Sequence, residues 1–228
     1  MSPSGSSTHL AVFAKYWEPG RVKTRLGTAV GHQAAAAIHR EFLGELVHRF
    51  RETAAGRTLV FWPPEKRSEF QEFLPPNWGL TCQEQGDLGT KLSIFLQSRL
   101  VRQQERIVVI GADSPDLPQE FLAEAFRLLD THEVVLGPSV DGGYYLVGMS
   151  SYAPIFSDIA WGTASVLPQT VEQLRRQAVN FAVLKNWEDV DDWQSLQSLL
   201  RRLQLTNPDP EQTRLLARVQ AILRTVSK

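Results

Sequence analysis

The stretch Ile107-Val108-Val109-Ile110-Gly111-Ala112-Asp113-Ser114-Pro115-Asp116 decides the fold of this chain. It opens with four β-branched apolar residues in a row. Such a run without polar alternation is typical of a strand covered by helices on both faces, as in a parallel sheet. Asp113 follows shortly after the strand ends. The stretch therefore predicts an acidic side chain at the carboxyl edge of a parallel sheet, where α/β proteins bind their ligands.

Strands and helices alternate on both sides of this stretch. Ile38, Phe42, Leu46 and Phe50 recur every four residues and predict an amphipathic helix. Other apolar segments have the length of strands and lie at residues 10–14, 58–62, 80–83, 134–136, 144–147 and 181–184. This alternation predicts an α/β three-layer sandwich with a mostly parallel central sheet.

Composition restricts the class of protein. The chain has 228 residues, is 43% hydrophobic and carries a formal net charge of -1. It is long enough for one substantial core, and no overall field would draw it to nucleic acid or an anionic membrane. No apolar run approaches the roughly 20 residues of a membrane span. We therefore expect neither a nucleic-acid partner nor a membrane span.

The termini and the single cysteine bear on location and domain limits. Cys82 stands alone, which suits a reducing compartment, and the start of the chain lacks a signal-peptide pattern, so we expect a cytoplasmic protein. We predict a disordered tail at residues 1–8 and a single folded domain at residues 9–206. An amphipathic helix at residues 207–228 would pack on the domain or on a partner.

A basic loop follows the first predicted strand. Lys15, Arg21, Lys23 and Arg25 stand close together around Pro19-Gly20. Glycine allows backbone N–H groups to approach a phosphate, and the following helix presents its positive end there. The alternative is an ordinary solvated loop. The segment is neither a Walker A loop nor a Gly-x-Gly-x-x-Gly fingerprint, which disfavours an ATPase and a Rossmann dehydrogenase.

Acidic residues follow later strands. Asp113 is favoured as a ligand of a hard divalent cation, whereas Asp116 is either a second ligand or a turn residue. Asp189, Asp191 and Asp192 come before a helix; one is expected to cap it and one to bind the metal. Asp141-Gly142-Gly143 reads as a turn, with a sugar or acceptor contact as the alternative. His32, His39 and His48 lack metal-ligand companions and are interpreted as surface or packing residues.

Several motifs occur in an order that is specific in combination. They are Phe13-Ala14-Lys15, Pro19-Gly20-Arg21-Val22-Lys23-Thr24-Arg25-Leu26, Gly111-Ala112-Asp113-Ser114-Pro115-Asp116-Leu117, Gly137-Pro138, Asp141-Gly142-Gly143-Tyr144-Tyr145-Leu146, Trp161-Gly162-Thr163 and Asp189-Val190-Asp191. From Leu10 to about Leu200 the chain resembles bacterial transferases of the nucleotide-diphospho-sugar transferase (GT-A-like) superfamily. Those transferases are associated with radical-SAM and selenium-domain proteins, and some are linked to arsenosugar biosynthesis.

The resemblance implies a GT-A-type sheet and assigns roles to residues. Mg²⁺ or Mn²⁺ would be held by Asp113 and, at the place of a late aspartate in the superfamily, by Asp191. The residues that would bind the nucleotide and its phosphates are Ala14, Lys15, Gly20, Arg21, Lys23, Thr24 and Arg25. The residues that would bind the acceptor or sugar are Gly142, Gly143, Tyr144, Trp161, Gly162 and Thr163. The chain departs from the Asp-x-Asp pattern of many glycosyltransferases, because it has Asp113-Ser114-Pro115-Asp116.

These observations lead to an expected function and two rivals. The first is metal-dependent glycosyl transfer from a nucleotide sugar to a small-molecule acceptor, with Lys23 and Arg25 stabilising the leaving diphosphate and Asp141 as the base. The second is nucleotidyl transfer of the guanylyltransferase type, which releases pyrophosphate from a nucleoside triphosphate. The third is a non-catalytic nucleotide-binding protein. A homodimer is compatible with the sequence.

Overall fold

A computed structural model describes residues 7–101, 105–205 and 210–226, and its described part contains one seven-stranded sheet. The strands are β1 (Ser7–Lys15), β2 (Gly56–Trp62), β3 (Gly79–Cys82), β4 (Glu105–Gly111), β5 (Val134–Pro138), β6 (Tyr144–Met149) and β7 (Phe181–Val183). Each predicted strand is present. Residues 1–6 of the predicted tail lie outside the described residues, whereas Ser7 and Thr8 belong to β1 and pair with β4.

The sheet is mostly parallel, with the order β3-β2-β1-β4-β6-β5-β7. Its middle strand is β4, and the adjacent β1 pairs in parallel with β2 on one side and β4 on the other. Only β6 is antiparallel to its neighbours, and it joins β4 to β5. The carboxyl ends of β1, β4 and β5 therefore lie along the same edge of the sheet.

Helices cover both faces of the sheet, as the three-layer prediction requires. In chain order they are α1 (Thr24–Val30), α2 (His32–Arg49), α3 (Arg67–Phe73), α4 (Leu88–Leu100), α5 (Gln119–Leu128), α6 (Val166–Arg176), α7 (Trp193–Leu205) and α8 (Pro210–Val226). Leu10 and Val12 of β1 join a buried cluster with α2 and α5. Ala11 and Phe13 point to the other face, where α4 and α6 pack.

A smaller buried cluster lies beside the sheet and includes the last helix. Leu215 and Val219 of α8 are fully buried against α2 and α7. The helix covers residues 210–226 of the predicted 207–228, and the remaining five residues lie outside the described part. Because α2 also covers the sheet, it stands between the main core and α8.

No helix in residues 7–101, 105–205 and 210–226 is long and apolar enough to cross a membrane.

Candidate functional site

One cavity of about 900 Å³ opens at the carboxyl edge of the sheet. The loops after β1, β3, β4 and β5 surround it, together with the segments that precede α6 and α7. Most predicted site residues line it: Ala14, Lys15, Arg21, Lys23, Thr24, Arg25, Asp113, Asp141, Gly143, Tyr144, Trp161, Gly162, Thr163 and Asp191. Gly20 and Gly142 do not line it, although each lies next to a residue that does. The structure thus brings the predicted cations and carboxylates together around one space.

The loop after β1 ends at Lys23, because α1 begins at Thr24, so Arg25 of the predicted basic loop belongs to a helix. Lys23 is the residue before this helix and has a left-handed backbone (φ 46°, ψ 44°). That turn directs its side chain inward, so that only 2% of the side chain is exposed. Thr24 and Arg25 stand in the first turn of α1, with their side chains exposed.

Lys23 contacts both predicted metal ligands. Its ammonium forms a short ion pair with Asp113 Oδ1 and lies 3.1 Å from Asp191 Oδ1. It also donates to the carbonyl oxygen of Val190 at 2.5 Å. A buried cation therefore joins the loop after β4 to the loop before α7.

The carboxylates determine the ionisation of this cluster. Burial disfavours the charge of Lys23, but Asp113 and Asp191 outweigh that effect and raise its pKa above the ordinary value. Burial also opposes ionisation of Asp113, yet the neighbouring charge of Lys23 lowers its pKa overall. Lys23 and Asp113 are therefore both charged at neutral pH.

Arg25 has a different partner from Lys23. Its guanidinium lies 2.5 Å from Asp192 Oδ2, with two thirds of the Arg25 side chain exposed. Asp192 Oδ1 accepts a hydrogen bond from Ser195 N at 3.0 Å, so Asp192 caps α7 as one of the three late aspartates was expected to do.

Asp189 is a third carboxylate at this cluster, and sequence reasoning did not assign it a role. The Ser114 hydroxyl donates to one of its oxygens, and Ser139 Oγ donates to the other at 2.7 Å. Burial, with a further contribution from the charge of Asp113, raises the pKa of Asp189 to about 6. Its position next to Asp191 was the available signal.

His39 lies at the site rather than on the surface. It is 4% exposed, its Nε2 lies 3.1 Å from the Lys15 carbonyl oxygen, and its Nδ1 lies 4.0 Å from Asp113 Oδ1. Nδ1 is buried without a hydrogen-bond partner. Burial lowers the pKa of His39, which keeps the ring neutral. Nothing in its sequence surroundings distinguishes it from His32 and His48.

Other cations at the cavity are available to an anion. In the described part of the chain, no ion pair joins Lys15, Arg21 or Lys91 to a carboxylate. Lys91, from α4, was not predicted; its ammonium lies 4.9 Å from the ring centre of Trp62. Burial and the nearby charge of Lys15 lower the pKa of Lys91. Two like charges facing the same cavity favour a bound anion.

The Asp141-Gly142-Gly143 segment forms the predicted turn between β5 and β6. Asp141 Oδ1 accepts from Gly143 N at 3.0 Å. Gly142 has φ +92°, and a Cβ there would lie 2.5 Å from the Ala164 carbonyl oxygen. The missing side chain lets the segment containing Trp161, Gly162 and Thr163 pack against the turn.

Two aromatic residues, Tyr144 and Trp161, line the cavity and pack against each other. The rings of Tyr144 and Trp161 meet edge to face, with centroids 6.2 Å apart. Gly89 of α4 allows this packing, because a Cβ there would lie 2.6 Å from Trp161 Nε1. Tyr145 instead points into the core, where its hydroxyl donates to the Lys185 carbonyl oxygen.

Asp116 takes the structural role that the sequence left open. It is 5% exposed, accepts from Arg202 Nε at 2.7 Å and accepts from Trp187 Nε1 at 3.3 Å. It does not line the cavity. The elbow after β4 therefore offers the cavity one carboxylate, that of Asp113.

The donor set fits a hard divalent cation on the cavity side of Lys23. The side chains of Asp113 and Asp191 are 44% and 39% exposed, and the described residues provide no hydrogen bond to the Oδ2 atom of either. Within residues 7–101, 105–205 and 210–226, no three His, Cys, Asp or Glu side chains form a complete metal site. Mg²⁺ commonly completes its coordination with water and substrate phosphates, so two carboxylates are sufficient.

A family model described as "Uncharacterized protein conserved in bacteria (DUF2064)" matches residues 46–163, slightly more than half of the chain. The chain belongs to this DUF2064 family. The match includes β4, the elbow with Asp113 and the loop with Trp161. A search of curated protein sequences finds no match.

Solved structures resemble this DUF2064 protein along nearly its whole length. A protein from Desulfovibrio desulfuricans G20, provisionally assigned as a nucleotide-diphospho-sugar transferase, is 32% identical with a TM-score of 0.86, covering 97% of this chain and 98% of that one. The fold is therefore that of the nucleotide-diphospho-sugar transferases, which confirms the predicted fold and the predicted superfamily.

Two more distant structures share the fold alone. Rv0371c from Mycobacterium tuberculosis H37Rv, in complex with manganese, has a TM-score of 0.50 and 15% identity over 86% of this chain and 99% of that one. The 4-diphosphocytidyl-2C-methyl-D-erythritol synthase from Anaerococcus prevotii DSM 20548 has a TM-score of 0.57 and 10% identity over 88% of this chain and 100% of that one.

Proposed function

We propose that this protein is a cytoplasmic, metal-dependent glycosyltransferase that takes a nucleotide-diphosphate sugar as donor and a small molecule as acceptor. The single observation that supports it most is the cavity at the carboxyl edge of the sheet. Cations from β1, the basic loop and α4 that form no ion pair in the described part of the chain line the same cavity as the carboxylates of Asp113 and Asp191. A diphosphate and a divalent cation together satisfy both sets of charges.

Lys15, Arg21 and Lys91 are the best placed residues for the phosphates. Lys23 and Arg25 are held by carboxylates, so a direct phosphate contact from either would require these ion pairs to exchange partners. Ala14, Gly20 and Thr24 belong to the same loop and would add backbone and hydroxyl contacts to the nucleotide. The cations stabilise the diphosphate as negative charge develops on it.

Asp113 and Asp191 would hold Mg²⁺ or Mn²⁺ through their cavity-facing oxygens. When bound, the cation supplies charge stabilisation to the leaving diphosphate. The acceptor would lie against Gly143, Tyr144 and Trp161, which line the same cavity. Asp141, whose carboxylate lies at the rim on the turn, is the base that would take the proton from the acceptor hydroxyl.

Nucleotidyl transfer is the second candidate, and the position of Asp116 favours it. In this chain the elbow after β4 gives one carboxylate to the cavity, because Asp116 is committed to Arg202. At this elbow the sequence also lacks the Asp-x-Asp arrangement of many glycosyltransferases. In this reaction the same cations would stabilise the α-phosphate as pyrophosphate leaves, and the acceptor would be a phosphorylated or carboxylated small molecule.

The identity of the released product separates the two reactions. Thermal shifts measured with nucleotide sugars and nucleoside triphosphates, each with Mn²⁺, would first identify the donor, because a ligand selective for the folded state raises its melting temperature. Release of a nucleoside diphosphate supports glycosyl transfer, and release of pyrophosphate supports the second candidate. Tight nucleotide binding without turnover, across a broad acceptor panel, would contradict both.

A further inference from the structure

Lys23 makes contacts that differ from those of a phosphate-binding lysine. An ammonium group has three N–H donors. Those of Lys23 face three protein acceptors: Val190 O, Asp113 Oδ1 and Asp191 Oδ1. No donor remains for a phosphate oxygen.

We propose that Lys23 is a positioning residue, which holds the carboxylates of Asp113 and Asp191 in place for the divalent cation. This inference rests on the proposed function, because it requires a metal at these two residues. The cation and the ammonium would bind opposite sides of the same carboxylates. Lys23 uses the inner Oδ1 atoms, and the Oδ2 atoms remain for the metal.

Burial supports a fixed position for the ammonium. The Lys23 side chain is 2% exposed, whereas the two carboxylates are 44% and 39% exposed. Behind the ammonium lies α2, whose Phe42 ring centre is 5.9 Å away. Lys23 belongs to the lining of the cavity, but Phe42 of α2 on one side and the two carboxylates on the other confine its ammonium.

The negative charges of the neighbouring carboxylates explain why a cation is needed at the position of Lys23. Asp113, Asp191 and Asp189 line the same cavity, and Ser114, next to Asp113, donates a hydrogen bond to Asp189. Without Lys23, repulsion would separate Asp113 from Asp191. With Lys23, the cluster keeps a net negative charge that attracts a divalent cation.

The backbone should keep its fold when Lys23 is replaced. Val190 N donates directly to the Asp113 carbonyl oxygen at 2.9 Å, so the two loops are joined without any side chain. Lys23→Met keeps the length of the side chain and removes its charge. The variant therefore tests the ammonium and leaves the main-chain connection between the loops.

The test measures Mn²⁺ binding by electron paramagnetic resonance of free Mn²⁺, without nucleotide. We expect Lys23→Met to bind Mn²⁺ 10–100-fold more weakly than wild type, the usual effect of losing a residue that orients metal ligands. The matched control is Arg99→Met. Arg99 pairs with buried Glu105 at the opposite end of β4, 2.9 Å away, so its loss removes a comparable ion pair far from the cavity. Arg99→Met should bind Mn²⁺ as wild type does.

Equal or tighter Mn²⁺ binding by Lys23→Met would overturn the positioning role, because the ammonium would then compete with the metal. That result would leave the proposed function intact. A wild-type protein that binds no Mn²⁺ would overturn both. Ethylammonium added to Lys23→Ala should restore part of the lost affinity, which a purely structural defect would not allow.

A measurement on the wild-type protein requires no variant to fold. Lys23 is the only buried lysine among the described residues, so its ammonium should give the protected signal in a spectrum of ¹⁵N-lysine-labelled protein. The signal should persist at saturating Mg²⁺. Its disappearance on Mg²⁺ addition would show that the metal displaces Lys23, contrary to the proposal.

Discussion

Asp113 is the residue on which most of the site depends, since it contacts Lys23, lies near His39 and faces the cavity. We expect Asp113→Asn to abolish the additional stabilisation that Mn²⁺ gives in the presence of a nucleoside diphosphate, because an amide is a weak ligand for a hard cation. Thermal shift with and without Mn²⁺ measures this effect.

The control for Asp113 is Asp158→Asn, at an exposed residue with φ +57° where asparagine is well tolerated. It should respond to Mn²⁺ and nucleotide as wild type does. A full Mn²⁺ response in Asp113→Asn would contradict the metal assignment.

Lys15 and Lys91, which form no ion pair in the described part of the chain, should bind the phosphates of a nucleotide rather than its nucleoside. We expect Lys15→Met and Lys91→Met each to weaken nucleoside diphosphate binding about tenfold, as for a lost charged hydrogen bond, and to change nucleoside binding little. Calorimetric titration with the two ligands measures the difference. Lys185→Met, on an exposed lysine, is the control. If the affinities for both ligands fell equally, these lysines would stabilise the fold rather than bind phosphate.

His9 makes stability depend on pH far from the site. Burial, together with Arg99 and Arg57, lowers the pKa of His9 from 6.5 to about 4. The unfolded chain therefore takes up a proton below about pH 6.5 while the folded one does not, and stability is lost as pH falls towards 4. The difference of about 2.5 pH units corresponds to roughly 3 kcal/mol.

The measurement compares the free energy of unfolding of wild type and His9→Gln between pH 4 and 7.5. We expect the variant to show a flatter dependence over this range, because its side chain does not titrate. An unchanged slope would assign the pH dependence to other groups, such as buried His39.

Some residues of the candidate site could be predicted from the sequence, and others could not. Asp113 was predictable, because it directly follows the clearest strand. The contact between Lys23 and Asp191 was not, because the two residues lie 168 positions apart and only the fold brings them together. His39 and Lys91 each stand alone within a helix, and no local spacing marks them as site residues.

At the scale of elements, Gly142 allows the turn between β5 and β6 to lie close to the segment that precedes α6. We expect Gly142→Ala to lower the free energy of unfolding by at least about 2 kcal/mol, because the residue would combine a left-handed backbone with a clash against Ala164. Chemical denaturation measures the loss.

Gly31→Ala is the matched control for Gly142, since Gly31 has φ +83° but a Cβ there meets nothing within 4 Å. Its cost should reflect backbone strain alone. If both variants lost the same stability, the contact with Ala164 would have no energetic role.

Elements differ in how well their sequences predict them. Uninterrupted or alternating apolar runs predicted the strands, and the spacing of Ile38, Phe42, Leu46 and Phe50 predicted α2. The start of α1 was assigned to the basic loop, because it follows Lys23 directly and includes Arg25 and a glycine at position 27, which obscure the helical period. The antiparallel direction of β6 follows from the short turn before it.

At the scale of the whole molecule, a substitution in α8 shows whether the cavity depends on the buried cluster that α8 forms with α2 and α7. Leu215 is fully buried, and we expect Leu215→Ala to cost about 2–5 kcal/mol and to lower the melting temperature by several degrees. The nucleotide affinity should change little, because no residue of α8 lines the cavity.

Leu205→Ala is the control for Leu215, because Leu205 is 83% exposed and the same substitution there removes no buried contact. Its melting temperature should match that of wild type. A large loss of nucleotide affinity in folded Leu215→Ala would show that packing between α8, α2 and α7 affects nucleotide binding in the cavity.

The pairing of Lys23 with Asp191 has a consequence for biosynthesis. Lys23 leaves the ribosome early, and Asp191 leaves it only after six more strands and the intervening helices have been made. A nascent chain that stops before Asp191 can form much of the sheet, yet its lysine has no second carboxylate to meet. The two carboxylates proposed to hold the cation, those of Asp113 and Asp191, are therefore both present only after most of the polypeptide has emerged.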